Sequence, residues 1–241
     1  MAVDATDLRT LLPSDTVVLA RFAGDLHDQR DVEKAAELIL AFAVRSIPCD
    51  YAGLMLDGRR AVDRVWVSAP WLRRADQLQV DHDDGPYRSR LDGQGGVRVL
   101  DTALDGRWPR WSPQLAELGV RSVLCLRVSD GRVAIGTIIL YALEPGRFDA
   151  REAAMAHMVS RHAAIAIDTA QHEDKLRRAA ELRGFIGQAQ GILMARFGLD
   201  SVQAFAILRR ASRECDISVG EAARLLASTG ELPANVAEIG A

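Results

Sequence analysis

At 241 residues, with 49% apolar and 26% charged side chains, the chain can fill one large or two ordinary globular cores, which excludes disorder as its main state. Its formal net charge of −3 is near neutral but uneven: residues 1–174 carry 21 basic against 26 acidic side chains, and residues 175–224 carry 9 against 5. Three scattered cysteines with no CxxC pair exclude a disulfide framework, MAVDATDLRTLLPSD has acidic residues where a secretory signal needs positive charge and then an apolar run, and no window approaches the roughly 20 apolar residues of a membrane span. The expectation is a soluble protein of a reducing cytoplasm.

Residues 1–30 read as an N-terminal extension, with a candidate helix in LRTLLPSDTVVLARFAGDL. From Asp31, VEKAAELILAFAVRSI repeats apolar residues at helical spacing until Pro48 stops it. The period then changes to two. DYAGLMLDG and VDRVWVSA read as strands joined through Gly58 in an antiparallel hairpin. A short helix follows Pro70 in WLRRADQLQV, and then the loop DHDDGPYRSRLDGQGG, long and rich in Gly and Asp, either lies over a site or moves. GVRVLD reads as a strand, WSPQLAELGV as a helix, and RSVLCLRVSDG with RVAIGTIILYAL as a second hairpin turning at Asp130 and Gly131. The nearly continuous apolar run AIGTIILY marks a central strand covered on both faces. Five or six antiparallel strands framed by helices make an α+β sensory-type domain over residues 31–170.

No proline interrupts the chain from Phe148 to about Arg196, so one long helix is expected there. Met158, His162, Ile165, Thr169, His172, Leu176, Ala179, Arg183 and Ile186 fall on a 3,4 spacing along it. This resembles a coiled-coil seam with several polar positions, and it points to a dimer through a connector at 150–185. The alternative is a single long helix lying against its own domain. Residues 178–233 then read as three short helices in a small bundle. Their apolar sets are Leu182, Ile186, Ala189 and Leu193, then Val202, Phe205, Leu208 and Ala211 or Ser212, then Val219, Ala222, Ala223 and Leu226. Gly198 ends the first helix, Asp200 caps the second, and Ser218 with Glu221 forms a capping box on the third.

The C-terminal identities Arg183, Ile186, Gln188, Ala189, Gly191, Ile192, Leu193, Met194, Ala204, Phe205, Leu208, Arg209, Ser212, Ala222 and Ala223 resemble the ANTAR domain, an RNA-binding antitermination module. In the first part, Ser68, Gln79, Gly85, Pro86, Asp101, Arg107, Trp108, Pro109, Gly119, Val120, Arg121, Ser122, Gly136, Leu140, Tyr141 and Phe148 resemble a GAF domain of the kind fused to ANTAR domains in actinobacteria. The two resemblances cover about residues 30 to 230. They imply a transcription antitermination regulator that binds stem-loops in nascent transcripts and takes an unidentified signal, a small molecule or a protein, through the GAF-like part. The chain departs from the pattern twice: Gln190 stands where the family has lysine in AKG, and Tyr87 stands where it has a cysteine after Gly-Pro.

The residues suited to meet RNA are Arg183, Gln188, Gln190 and Gly191 on one helix and Arg209, Arg210, Ser212 and Arg213 on the next. Arginine forks match phosphates and guanine edges, and glutamine offers paired donors and acceptors without long-range attraction. The rival account makes them solubilising residues. Gly184, Gly187 and Gly191 weaken their helix by roughly 1 kcal/mol each, which close packing or a close ligand would offset. Trp66, Trp71, Tyr87, Trp108 and Trp111 are candidates for the rim of a ligand pocket, although tryptophan also packs cores. No nucleotide-binding loop, nucleophile elbow or metalloprotease helix is present, and His157, His162 and His172 are spaced wrongly for one metal. Cys125 reads as an inert core thiol, and Asp81, Asp83 and Asp84 as a solvated loop. The expectation is therefore a homodimer with no catalytic residue, metal, cofactor, DNA or membrane partner. Two further readings stay open: a dimeric protein-interaction or small-molecule sensor module that does not bind RNA, and a small-molecule enzyme.

Overall fold

The computed structural model describes residues 10–57, 62–87, 96–129 and 134–232. It falls into two compact units, residues 1–171 and 172–241.

Proline tolerates the first helical turn, and helix α1 (Pro13–His27) starts there, with the Asp15 carboxylate accepting the Leu12 amide at 2.9 Å. Helix α2 (Val32–Ser46) opens on Asp31, whose carboxylate accepts the Glu33 and Lys34 amides, and it ends just before Pro48. Strands β1 (Tyr51–Asp57) and β2 (Val62–Val67) follow, then helix α3 (Leu72–His82), strand β3 (Gly96–Val99) and helix α4 (Trp111–Glu117). Strands β4 (Ser122–Ser129) and β5 (Ala134–Ala142) complete one antiparallel sheet in the order β2-β1-β5-β4-β3. The sheet has five strands, and the continuous apolar run forms its central one. Both hairpin turns, at Gly58 and at Asp130 with Gly131, lie outside the described residues.

Because strand side chains alternate, each central strand feeds two cores. Ala52, Leu54 and Leu56 of β1, Leu124, Leu126 and Val128 of β4, and Ile138 and Leu140 of β5 pack under α1, α2 and the start of the last long helix. Met55, Val123, Cys125, Ile139 and Tyr141 face the other way, under α3 and α4. Gly136 permits the tight pairing of β5 on β1, since a Cβ there would come within 2.2 Å of the Met55 carbonyl oxygen. Asp101 and Arg121 pair through two bonds of 2.9 and 2.7 Å before β4 begins.

Helix α5 (Ala150–Phe197) is continuous for 48 residues. Ala153, Ala156, Val159, Ala163, Ile167 and Ala170 bury its inner stripe in the first core, so this part lies against its own domain. The seam positions fall on its flank: Met158 and His162 are half-buried, and Ile165 and Leu176 are 45% and 70% exposed.

In the second unit, α5 ends at Gly198, which takes φ 64°, and helices α6 (Ser201–Glu214) and α7 (Val219–Thr229) follow. Asp200 and Gln203 exchange bonds as a capping box, and the Ser218 hydroxyl accepts the Glu221 amide at 3.1 Å. The core is Ala189, Leu193, Ala204, Leu208, Ala223 and Leu226. This corrects the apolar set expected for α6: Val202 and Phe205 are 76% and 36% exposed, and the inward stripe is Ala204, Leu208 and Ala211. Small side chains let α6 approach Ala222 and Ala223 of α7 closely. Gly220 is buried beneath Leu182, whose Cδ1 would be 1.8 Å from any Cβ placed there.

Candidate nucleic-acid interface and sensory core

With Ala204, Leu208 and Ala211 turned inward, the opposite face of α6 presents Phe205, Arg209 and Arg213 at four-residue spacing. Arg209 and Arg213 are exposed and have no carboxylate partner among the described residues. Arg183, Gln188 and Gly191 are likewise exposed on α5. The other three residues expected at the interface are engaged elsewhere. The Gln190 amide donates to the Ser201 carbonyl at 2.9 Å, closing the turn between α5 and α6. The Ser212 hydroxyl donates to the Ile217 carbonyl at 2.6 Å, and Arg210 Nε donates to Glu214 Oε1 at 2.6 Å. Gln190 and Ser212 thus hold the bundle, and Arg210 is partly neutralised on the helix surface. Phe205 joins the outward set from a position that sequence reasoning had assigned to the core.

A Cβ at Gly184, Gly187 or Gly191 would meet nothing within 4 Å among the described residues. Packing among the described residues therefore does not explain these glycines, and against those residues they leave a strip of α5 backbone open.

On the sensory side, Trp71, Tyr87, Trp108 and Trp111 gather at the core beneath α3 and α4. Trp108 and Trp111 meet edge to face with centroids 5.7 Å apart, and Trp71 meets Tyr51 likewise at 5.0 Å. Trp66 does not join them. It packs against the core on the opposite face of the sheet, where its indole N–H donates to Glu33.

The same α3–α4 core holds more polarity than a packed interior needs. Asp76 Oδ2 and Gln79 Nε2 on α3, and Trp111 Nε1 and Ser112 Oγ on α4, are buried and unpartnered. The Asp76 carboxylate accepts the Tyr141 hydroxyl, and burial pushes its pKa up to about 7 against the bonding to Tyr141. Burial also raises Tyr141, helped by the Asp76 charge. Gln79 accepts the Tyr87 amide at 2.9 Å, which ties the loop after Gly85 to α3.

The acidic loop is likewise more than solvated surface. Asp83 takes the left-handed C-cap position of α3 at φ 48°, and Asp84 accepts the Arg110 and Trp111 amides at 2.8 and 3.1 Å at the start of α4. Residues 88–95 of that loop lie outside the described residues. Cys125 is fully buried and its thiol is raised by burial, and Cys49 is pushed up to about 12 by the same cause. No group of three His, Cys, Asp or Glu side chains placed to hold a metal occurs among the described residues.

Residues 31–167 match the GAF domain model, which spans more than half of the sequence. The chain belongs to the GAF family. Residues 174–226 match the ANTAR domain, so a GAF domain precedes an ANTAR domain in one polypeptide. The GAF fold is shared with the GAF domain of a phosphoenolpyruvate-protein phosphotransferase from Coxiella burnetii, at TM-score 0.52 and 14% identity, covering 67% of this chain and 96% of that one. It is also shared with the corresponding domain from Acinetobacter, at TM-score 0.51 and 10% identity, covering 67% and 97%. The photosensory core module of a Stigmatella aurantiaca phytochrome aligns at TM-score 0.56 and 14% identity over 88% of this chain, which spans 45% of that one. Among curated proteins none matches. No single helix among the described residues is long and apolar enough to cross a membrane.

Proposed function

We propose that the ANTAR domain binds stem-loop RNA in nascent transcripts and favours the antiterminated form, with the GAF domain setting its activity in response to a small polar ligand. The observation that carries the RNA reading is the outward stripe of Phe205, Arg209 and Arg213 on a domain of ANTAR type, with Arg183, Gln188 and the open backbone at Gly191 available on α5. The arginines would meet stem phosphates, and Phe205 offers a ring on which an unstacked loop base can lie.

The ligand reading rests on the four unpartnered polar atoms of the α3–α4 core together with Asp76, whose raised pKa of about 7 leaves it partly protonated at neutral pH, able in that form to donate as well as accept. Trp71, Tyr87, Trp108 and Trp111 would flank such a ligand. The protein acts without catalysing a reaction, in the cytoplasm. It works as a homodimer through the exposed flank of α5 at Ile165 and Leu176.

Fluorescence titration of the whole chain against paired stem-loop RNAs with six-base loops tests the output. Saturable binding that weakens when the loop bases are changed is expected. Equal affinity for target and loop-mutated RNA, or none for either, would replace this reading with a protein-interaction module. Light scattering over a concentration series tests the dimer, and a monomeric mass at tens of micromolar removes it.

A further inference from the structure

On the face of the sheet opposite Asp76, three segments of the GAF domain converge on a pocket of about 380 Å³. It is lined by the last turn of α2 from Val44, the connection Ile47 to Asp50, and Arg147 with Arg151 at the root of α5. Three arginines, Arg45, Arg147 and Arg151, therefore line one small space. Asp50 is the only carboxylate among the described residues of the lining, and its Oδ2 already accepts the Leu143 amide at 2.8 Å.

Two of the three arginines are held in place by the fold. Arg151 grips Asp15 of α1 through Nε and Nη2 at 3.0 and 2.8 Å, and Arg147 Nε donates to the Pro48 carbonyl at 3.2 Å. Arg147 keeps both terminal amino groups for another acceptor. Arg45 has no carboxylate or hydrogen-bond partner among the described residues, so its whole donor fork is open. Arg151 is balanced by Asp15 and by Glu152 4.0 Å away, whereas Arg45 and Arg147 have no carboxylate partner among the described residues, so a bound anion uses their open donors and offsets their charge.

We propose that this pocket binds a small phosphate monoester. Forks arriving from separate segments suit the tetrahedral arrangement of phosphate oxygens better than the single plane of a carboxylate. Ser46, Asp50 and the nearby main-chain carbonyls then face the hydroxyl groups of the esterified body. Because Arg151 links α1 to α5, a phosphate drawn to it competes with Asp15 and loosens α1 from the root of α5. The site lies wholly within the first unit and does not depend on RNA.

The test is calorimetric titration of the whole chain, without RNA and at constant ionic strength, using glycerol 3-phosphate and inorganic phosphate as probes. Saturable binding of glycerol 3-phosphate with competition by inorganic phosphate is expected. Arg45→Ala with Arg147→Ala should weaken it at least tenfold, and the paired lysine variants, which keep the charge and lose the fork, should weaken it by less. A rise in the thermal midpoint of the unaltered protein with glycerol 3-phosphate gives a readout that needs no variant. Absence of both saturable heat and a midpoint rise at millimolar probe, or an unchanged affinity in the double alanine variant, overturns the proposal.

Discussion

Replacing Asp76 by asparagine isolates one buried charge and gives it a measurable sign. In the folded GAF domain burial raises the Asp76 pKa from 3.8 to about 7, so between those values the native state keeps a proton that the unfolded chain releases. Stability therefore falls as pH rises through this window, by about 1.4 kcal/mol per pH unit for one proton. Over roughly three units the loss is on the order of 4 kcal/mol, and it levels off above the folded pKa. Asparagine imitates the neutral acid, can still accept from the Tyr141 hydroxyl, and does not titrate. Plotted against pH, the difference in unfolding free energy between Asp76→Asn and the unaltered protein should climb from acid to neutral and then stay level. All four tryptophans, at positions 66, 71, 108 and 111, lie in the first unit, so denaturant unfolding followed by their fluorescence reports on the GAF domain. Two parallel curves across the window would refute the burial argument, as would a gap that narrows with rising pH.

Four further outcomes are expected. Arg209→Ala with Arg213→Ala should weaken binding to all stem-loops alike and reduce the salt slope by about two, checked by titration at several salt concentrations. Gln190→Lys should tighten RNA binding at low salt and do so less at high salt, since the added attraction is screened, with at most about 1 kcal/mol lost from the turn bond to Ser201. Gly191→Ala should stabilise the ANTAR domain by roughly 1 kcal/mol in thermal unfolding and weaken RNA binding, because its Cβ is harmless to the fold and faces the partner. In alkylation of the native protein at mildly alkaline pH, Cys49 and Cys125 should react slowly, since burial keeps both thiols protonated, and denaturation should remove the protection.

The sheet was legible because its period of two is unusually clean: Ile138 and Leu140 go to one core, Ile139 and Tyr141 to the other, as the run AIGTIILY requires. The α5 helix was legible from the absence of proline and from its 3,4 spacing. What failed was the rotation of α6. Val202 and Phe205 are larger and more apolar than Ala204 and Ala211, and a reading weighted by side-chain size turns them inward. Close approach to α7 instead favours the small residues inside, as Ala222 and Ala223 opposite them show. Trp66 was misplaced for want of register. It pairs with Leu54 across the sheet, and paired residues share a face, so knowing that register would have put it in the core under α2. Asp76 could not be found at all, since an aspartate in WLRRADQLQV follows ordinary amphipathic spacing and only the tertiary fold shows that its face is the buried one. Asp84 was hidden for a similar reason: the amides it caps lie 26 and 27 residues away.

The two parts of α5 answer to different demands, and their composition records this. Between Ala153 and Ala170 the inner stripe is largely alanine, the best helix former, with Val159 and Ile167 filling the spaces that alanine leaves above the sheet. Between Gly184 and Gly191 the same helix carries three glycines that together weaken it by roughly 3 kcal/mol relative to alanine. In a domain with a core as small as that around Leu193 and Leu208, such a loss is a sizeable share of total stability. Alanine would fit at all three positions, since nothing among the described residues lies within 4 Å of the missing Cβ atoms. A cost without an internal return points outward, to a partner whose own atoms come close to the helix backbone. Gly191 belongs to the stretch of α5 that carries Arg183 and Gln188, so the nucleic-acid reading accounts for the open backbone as well as the arginines. A surface made only for solubility would explain the arginines and leave the glycines without a cause.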